Sequence, residues 1–484
     1  MRAEALVVAA LVAGVGCHPV ALMTRPEGDG GWTAARRRDE LGARAIRAGV
    51  ALDPSAADAG PRAPDTLTLP DALALAAQGN RRIAMAGRSV AAAEERVWDA
   101  RGRLLPAVGG SGRYTRYTDA QTTNVALSPG LLPAGVAPPV VIVRENENAV
   151  LNGTATVPID LWGELRHTLT AAQAGYRGER ARQWATTLGE QAAVVRAYYA
   201  LLEAKRLRTV TDQTLAFQRA QLGNASQKFD HGRLTNNELL VVQVAVRNAE
   251  QAEVQRALAV DAARWELNEA VGRPVDAPTD AADVAERPAL PPVDEALRAA
   301  WTTNPALVAL VEEQQRLEDV ASSLARGRLP RFEGGGAIDW QSSGILQPEP
   351  IGQGFVGFRW DLGTDGRREA QIAEARIQAE RNRLAIEDEL RGLETAIRRA
   401  HRAAEERLAA LAASEAAVGQ AEENLRIRTQ QFDVGRATSE DVLDAEALLT
   451  SQRATLATAL YQAHTRRAEL QQLMGLPLDA LVER

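Results

Sequence analysis

Apolar residues in the C-terminal part of the chain recur at the spacing of a coiled-coil seam. Ile386, Leu390, Leu393, Ile397, Ala400 and Ala404 step by four, three, four, three and four residues, which holds them on one stripe of an α-helix. No proline falls between Asp361 and Pro477. The pattern therefore predicts one very long helix from about Asp361 to a turn at Gly435, on the order of 110 Å at helical rise. A helix over Ser439 to Leu473 returns along it. An earlier stretch reads the same way: a long helix after Asp160, a turn at Gly232 and a return over Asn236 to Ala270. Glycine suits both reversals because it takes the left-handed conformation that ends a helix.

Elsewhere the period is two. Leu151, Gly153, Ala155 and Val157 alternate with Asn152, Thr154 and Thr156. Phe332, Gly334, Gly336, Ile338 and Trp340 share a face opposite Glu333 and Asp339, and Val356, Phe358 and Trp360 alternate with Gly357, Arg359 and Asp361. With the Gly-rich segment from Val108 to Tyr117, these predict four strands, at about 107–117, 150–160, 332–340 and 354–361. Residues 118–148 carry Pro129, Pro133, Pro138 and Pro139 and are expected to form a long loop joining the first pair. Before each strand pair stands a helix of roughly 30 residues. One starts at Leu69, the other near Pro292, and they close on the same words, Ala100-Arg101-Gly102-Arg103-Leu104 and Ala325-Arg326-Gly327-Arg328-Leu329.

The order helix, strand, strand, long helix, turn, helix thus occurs twice, and the wording repeats with it. Phe229-Asp230-His231-Gly232-Arg233-Leu234-Thr235 returns 203 residues later as Phe432-Asp433-Val434-Gly435-Arg436-Ala437-Thr438. Gly232 to Gly272 and Gly435 to Gly475 are both 40 residues, so the two return arms have kept one length. Such a repeat sets the architecture before any local motif does. It divides the chain into a signal segment (1–16), an extended N-terminal arm (17–65), a first repeat (66–276) with its tip at 229–238, a linker (277–291), and a second repeat (292–484) with its tip at 432–441. The fold class is mainly α with a small β part.

Composition narrows the function. The net charge of −7 argues against nucleic acid, which selects a basic face. Ala5 to Val15 is an apolar run too short to span a bilayer, as in a signal peptide. Cys17, the only cysteine, follows it. Its setting after Gly14-Val15-Gly16 resembles a bacterial lipoprotein cleavage site, although Gly14 stands where leucine is usual. Cys17 is then the expected lipidated N-terminus. The five histidines (18, 167, 231, 401 and 464) are scattered and lack a second ligand at metal spacing. Phosphate loops and serine elbows are missing too. No enzyme, cofactor or metal is expected.

Four strands cannot close a barrel, and a bilayer excludes open edges. Other copies of the chain must complete the sheet, and three would supply twelve strands. The expected lipid side carries Leu151, Gly153, Ala155 and Val157. The helices are too long and too charged for a membrane, so they are expected to continue in water as a hollow bundle.

The duplicated plan, the joints near Asp160 and Asp361 and the repeated F-D-x-G-R-x-T turns resemble the TolC-like outer-membrane efflux and secretion channels, over about residues 66–480. The resemblance implies a homotrimer. Its twelve-stranded β-barrel would sit in the outer membrane of a Gram-negative bacterium, continued by a periplasmic α-helical coiled-coil tunnel. It also implies a periplasmic adaptor protein and an inner-membrane pump as partners. Gly232, Arg233 and Leu234, with Gly435, Arg436 and Ala437, would meet the adaptor at the helical tips. Asp441 and Asp444 lie at i and i+3 on one helical face. With Glu238 of the first copy, the resemblance makes them the periplasmic gate, where rings of carboxylates attract cations. Plain helix-dipole interaction is the competing reading. Phe432 and Ala437 stand where some relatives carry a tyrosine and an arginine that help close the tip, so a lock here would have to use other partners, with Arg233 and Arg436 as candidates.

The favoured function is a passive outer-membrane exit duct for small molecules such as drugs, metal ions or solvents. Type I protein secretion is the alternative within the class, and a periplasmic coiled-coil adaptor without a pore is the alternative outside it.

Overall fold

A computed structural model describes residues 65–124, 140–144, 146–232, 234–283, 287–342, 350–363 and 366–478. The signal segment, nearly all of the N-terminal arm, Cys17 and Arg233 lie outside the described residues. The first repeat runs β1 (Thr66–Leu67), α1 (Leu69–Gly79), α2 (Arg81–Gly102), β2 (Ala107–Arg116), β3 (Gln121–Asn124), β4 (Val140–Arg144), β5 (Glu147–Ile159), α3 (Glu164–Asp230) and α4 (Asn236–Val271). The second follows as β6 (Asp280–Ala281), α5 (Val293–Thr303), α6 (Pro305–Arg326), β7 (Arg331–Gln341), β8 (Ile351–Arg359), α7 (Arg367–Asp433) and α8 (Ser439–Met474). Helices α3 and α7 are each 67 residues long, and α4 and α8 each 36. Equal arms bring the two turns to corresponding positions, as the matched spacing in the sequence requires.

The expected opening helices of about 30 residues are each two helices, broken at an asparagine. Asn80 Oδ1 accepts from the amides of Arg82 and Ile83 (2.8 and 3.3 Å), which caps α2. Asn304 Oδ1 accepts from Ala306 and Leu307 (2.9 and 3.2 Å), which caps α6. Their amide groups donate away from the break, Asn80 to Glu190 Oε2 at 2.8 Å and Asn304 to the Leu473 carbonyl at 2.9 Å. A side chain that satisfies orphan helix donors while holding a neighbouring helix makes a stable bend.

Strands β2, β5, β7 and β8 form one antiparallel sheet in that order, with β2 and β8 at its edges. The pairing aligns the two faces expected from period two. Leu151 lies opposite Trp340, Gly153 opposite Ile338, and Phe332 opposite Phe358, whose rings are 6.0 Å apart. On the other face Asn152 donates to Asp339 Oδ1, and Gln353 donates to Oδ2 at 3.2 Å. Two features depart from the expected loop and linker. Residues within 118–148 form a second ladder, β3 with β4. Within 277–291, β6 pairs in parallel with β1, at the start of the first repeat.

The main core lies where α1, β1 and β6 pack on the long helices. Leu67, Tyr198, Leu201, Leu267 and Leu478 are buried there. The Tyr198 hydroxyl donates to the carbonyls of Ala282 (2.6 Å) and Leu67 (3.2 Å), tying the β1–β6 ladder to α3. A second core joins Ala296 and Leu297 of α5 to Leu393 and Ile397 of α7 and Leu470 of α8. Leu393 and Ile397 belong to the coiled-coil stripe, so that stripe turns inward as expected. Among the described residues no helix is long and apolar enough to cross a membrane.

Candidate functional site: the paired helical tips

Each tip is built from a helix end, a glycine and a capped helix start. At the first, Gly232 has φ +68° and its amide donates to the Phe229 carbonyl at 2.9 Å. At the second, Gly435 has φ +73°, and Arg436 N donates to the Gln431 carbonyl at 2.8 Å. This closes α7 with a left-handed glycine, a conformation that costs a side chain about 1–2 kcal/mol. Both glycines are exposed, as is Arg436, while Leu234 and Ala437 are half-buried.

The returning helices then start with the same device. Thr235 Oγ1 accepts from Glu238 N (3.3 Å), and Glu238 Oε2 accepts from Thr235 N and Oγ1 (2.9 and 2.7 Å). Thr438 and Asp441 repeat this: Asp441 N donates to Thr438 Oγ1 at 3.2 Å, and Asp441 Oδ2 accepts two bonds of 2.8 Å from Thr438. These are capping boxes. Hydrogen bonds from the Thr438 backbone and hydroxyl hold the Asp441 carboxyl below its usual value, with Arg428 adding attraction. The bonds from Thr235 do the same for Glu238. Both residues are therefore structural caps that keep their charge. Asp444, one turn further, is exposed. Glu238 and Asp441 are each held in their own tip.

What joins the tips is a contact the sequence did not suggest. Lys228 Nζ sits 3.4 Å from the ring centroid of Phe432 and 3.4 Å from the Phe432 carbonyl. This is a cation–π contact on a buried ring. The lock partners expected at this place, Arg233 and Arg436, are respectively outside the described residues and exposed. The signal was compositional: Lys228 is one of two lysines among the chain's many arginines. Above the tips, polar pairs tie α3 to α8. Thr214 and Thr450 hydroxyls meet at 2.6 Å, Arg453 donates to Gln213 at 3.2 Å, and Thr458 donates to Glu203 at 2.7 Å. Among the described residues no group of histidine, cysteine or carboxylate side chains is placed to hold a metal.

The protomer is thus a duplicated unit with an amphipathic four-stranded sheet and two paired helical turns. The family model for outer membrane efflux proteins matches residues 72–273 and 296–476, and the chain belongs to that family. It is thus an outer-membrane channel protein with periplasmic helices, not an enzyme. The outer membrane protein VceC of Vibrio cholerae is 18% identical, with a TM-score of 0.69 over 84% of this chain and 96% of that one. The Campylobacter jejuni CmeC outer membrane channel is 14% identical, with a TM-score of 0.70 over 84% and 85%. The open state of the Neisseria gonorrhoeae MtrE outer membrane channel is 17% identical, with a TM-score of 0.66 over 84% and 89%. No protein of curated function matches the sequence.

Proposed function

We propose that three copies of the chain close their sheets into one twelve-stranded barrel and form the exit duct of a tripartite export system. The barrel would carry small molecules out of the periplasm, driven by an inner-membrane pump through a periplasmic adaptor. The observation that carries this reading is the sheet. Among the described residues its edges, β2 and β8, are unpaired, and one exposed apolar face bears Leu151, Ile338, Val356 and Phe358. Open edges in hydrocarbon leave backbone groups unsatisfied, so further copies must pair with them. The tips then ring the periplasmic aperture. Asp444 and Asp441, with Glu238, supply its charge, and Gly232, Arg233, Leu234, Gly435, Arg436 and Ala437 supply the adaptor's docking surface. Cys17 carries the lipid anchor after removal of residues 1–16. Planar-bilayer recording on the purified protein tests the duct. Stable cation-favouring conductance from a trimer is expected; a detergent-free, soluble monomer without conductance would sink the reading.

A further inference from the structure

The repeated Ala-Arg-Gly-Arg-Leu words stand where helices α2 and α6 end and the sheet begins. Arg103 is taken up by Asp99 on its own helix, at 2.8 and 3.1 Å, and Arg328 lies 3.5 Å from Glu369. The first arginine of each word is different. Arg101 lies with its guanidinium 4.8 Å from the centroid of the exposed Trp98 ring. Neither Arg101 nor Arg326 has a carboxylate partner among the described residues.

Exposed apolar side chains stand at both joints, and at the second Arg326 is half-buried beside Arg166 and His167. Leu105 flanks the first joint, and Leu161 and Leu362, the latter 78% exposed, flank the second. Trp162 and Trp360 point their indole N–H groups inward, donating to the carbonyls of Pro330 (2.8 Å) and Arg328 (3.0 Å). One short loop therefore fixes both tryptophans. With their polar atoms satisfied, the outer parts of these rings are free to meet hydrocarbon, the usual arrangement at a membrane interface.

We propose that each Arg-Gly-Arg-Leu joint binds the phosphate of an anionic phospholipid, through Arg101 in the first repeat and Arg326 in the second. The proposal rests on the reading above that the apolar sheet face meets lipid. A guanidinium without a carboxylate partner matches a phosphate with its planar fork of donors. The apolar neighbours select the source of that phosphate. Free phosphate has no use for exposed leucines, whereas a phospholipid presents phosphate and acyl chain side by side. Phe332 and Phe358, paired across β7 and β8, bring the apolar face of the sheet down to its joint end. A three-fold barrel would carry six such joints around its base.

The test uses the full-length wild type and the R101Q/R326Q variant in mixed micelles, with quenching of tryptophan fluorescence by brominated lipid. Trp98, Trp162 and Trp360 are the reporters. Brominated phosphatidylglycerol should quench the wild type at lower mole fraction than brominated phosphatidylcholine. In the variant that preference should fall by roughly fivefold, the effect of one interfacial basic residue. Equal quenching by the two lipids in the wild type overturns the proposal, and so does an unchanged preference in the variant, which would leave the arginines as helix-end charges. Conductance of the same samples reads the channel separately: a conducting wild type without lipid preference overturns only the lipid site.

Discussion

Asp441 and Asp444 are three residues apart yet held differently, and this decides how the proposed gate can be probed. Asp441 accepts three hydrogen bonds or contacts from Thr438 and Arg428, so replacing it unties a helix start as well as removing a charge. Asp444 is exposed and outside the cap. D444N should therefore raise conductance or weaken cation block with the tip fold intact, and no change in either removes Asp444 from the gate. T438A leaves both carboxylates in place and should cost about 1 kcal/mol through the cap alone, read as faster amide exchange in the first turn of α8. The cap also has a pH dependence of definite sign. Asp441 and Glu238 are depressed in the folded state. Their contribution is then complete above the unfolded carboxylate values of about 3.9 and 4.3 and is lost as pH falls through the lower folded values. Protection of the first-turn amides of α4 and α8 should hold from pH 7 to about 5 and fall only in stronger acid. Loss between pH 7 and 5 would show that the caps do not govern these turns.

At the scale of elements, the breaks at Asn80 and Asn304 decide where α1 and α5 turn onto the long helices. Asn304 is buried and acts through both ends of its amide. N304D keeps an acceptor for the cap but loses the donor to Leu473; N304A loses both. Thermal unfolding should rank wild type, N304D and N304A in falling order, with N304A about 2 kcal/mol down. Equal stability of wild type and N304D would mean that the bond to Leu473 contributes nothing, and equal stability of the two variants that the cap contributes nothing. These breaks also mark what was legible in the sequence. Long helices, turns and the four main strands follow from periodicity, because each buries or aligns one face over many residues. Pro305 after Asn304 was a readable break, since a residue before proline avoids helical geometry. Asn80 precedes Arg81 and gave no such sign. The β1–β6 pair spans two residues per strand, too few for any period. The β3–β4 ladder hides in a proline-rich stretch. Lys228 on Phe432 is a contact across 204 residues, and chain spacing carries no trace of it except the rarity of lysine.

For the whole molecule, the question is what the protomer leaves uncovered. Within it, α3 packs on α4, α7 on α8, and the two hairpins meet along α3 and α8. The outward side of α4 is left with Val254, 55% exposed, Leu258, 64% exposed, and Trp265. Steps of four and seven put these three on one helical stripe. On α7, Ile377 and Leu384 are likewise exposed, seven residues apart. Two apolar seams on the flanks of one hairpin pair fit neighbours in a closed ring, the arrangement that the open sheet edges also demand. Each buried side chain of this kind is worth about 1.5–3 kcal/mol, whereas a lysine at the seam has to keep its charge in water. V254K/L258K should thus abolish the proposed trimer while leaving the protomer folded, because neither residue contributes to a protomer core. Size-exclusion chromatography with light scattering in detergent reads the assembly, and circular dichroism reads the helices. Monomer with wild-type helicity is the expected result. A variant that stays trimeric would place the subunit seam elsewhere, and one that loses helicity would show that this stripe is needed within the protomer.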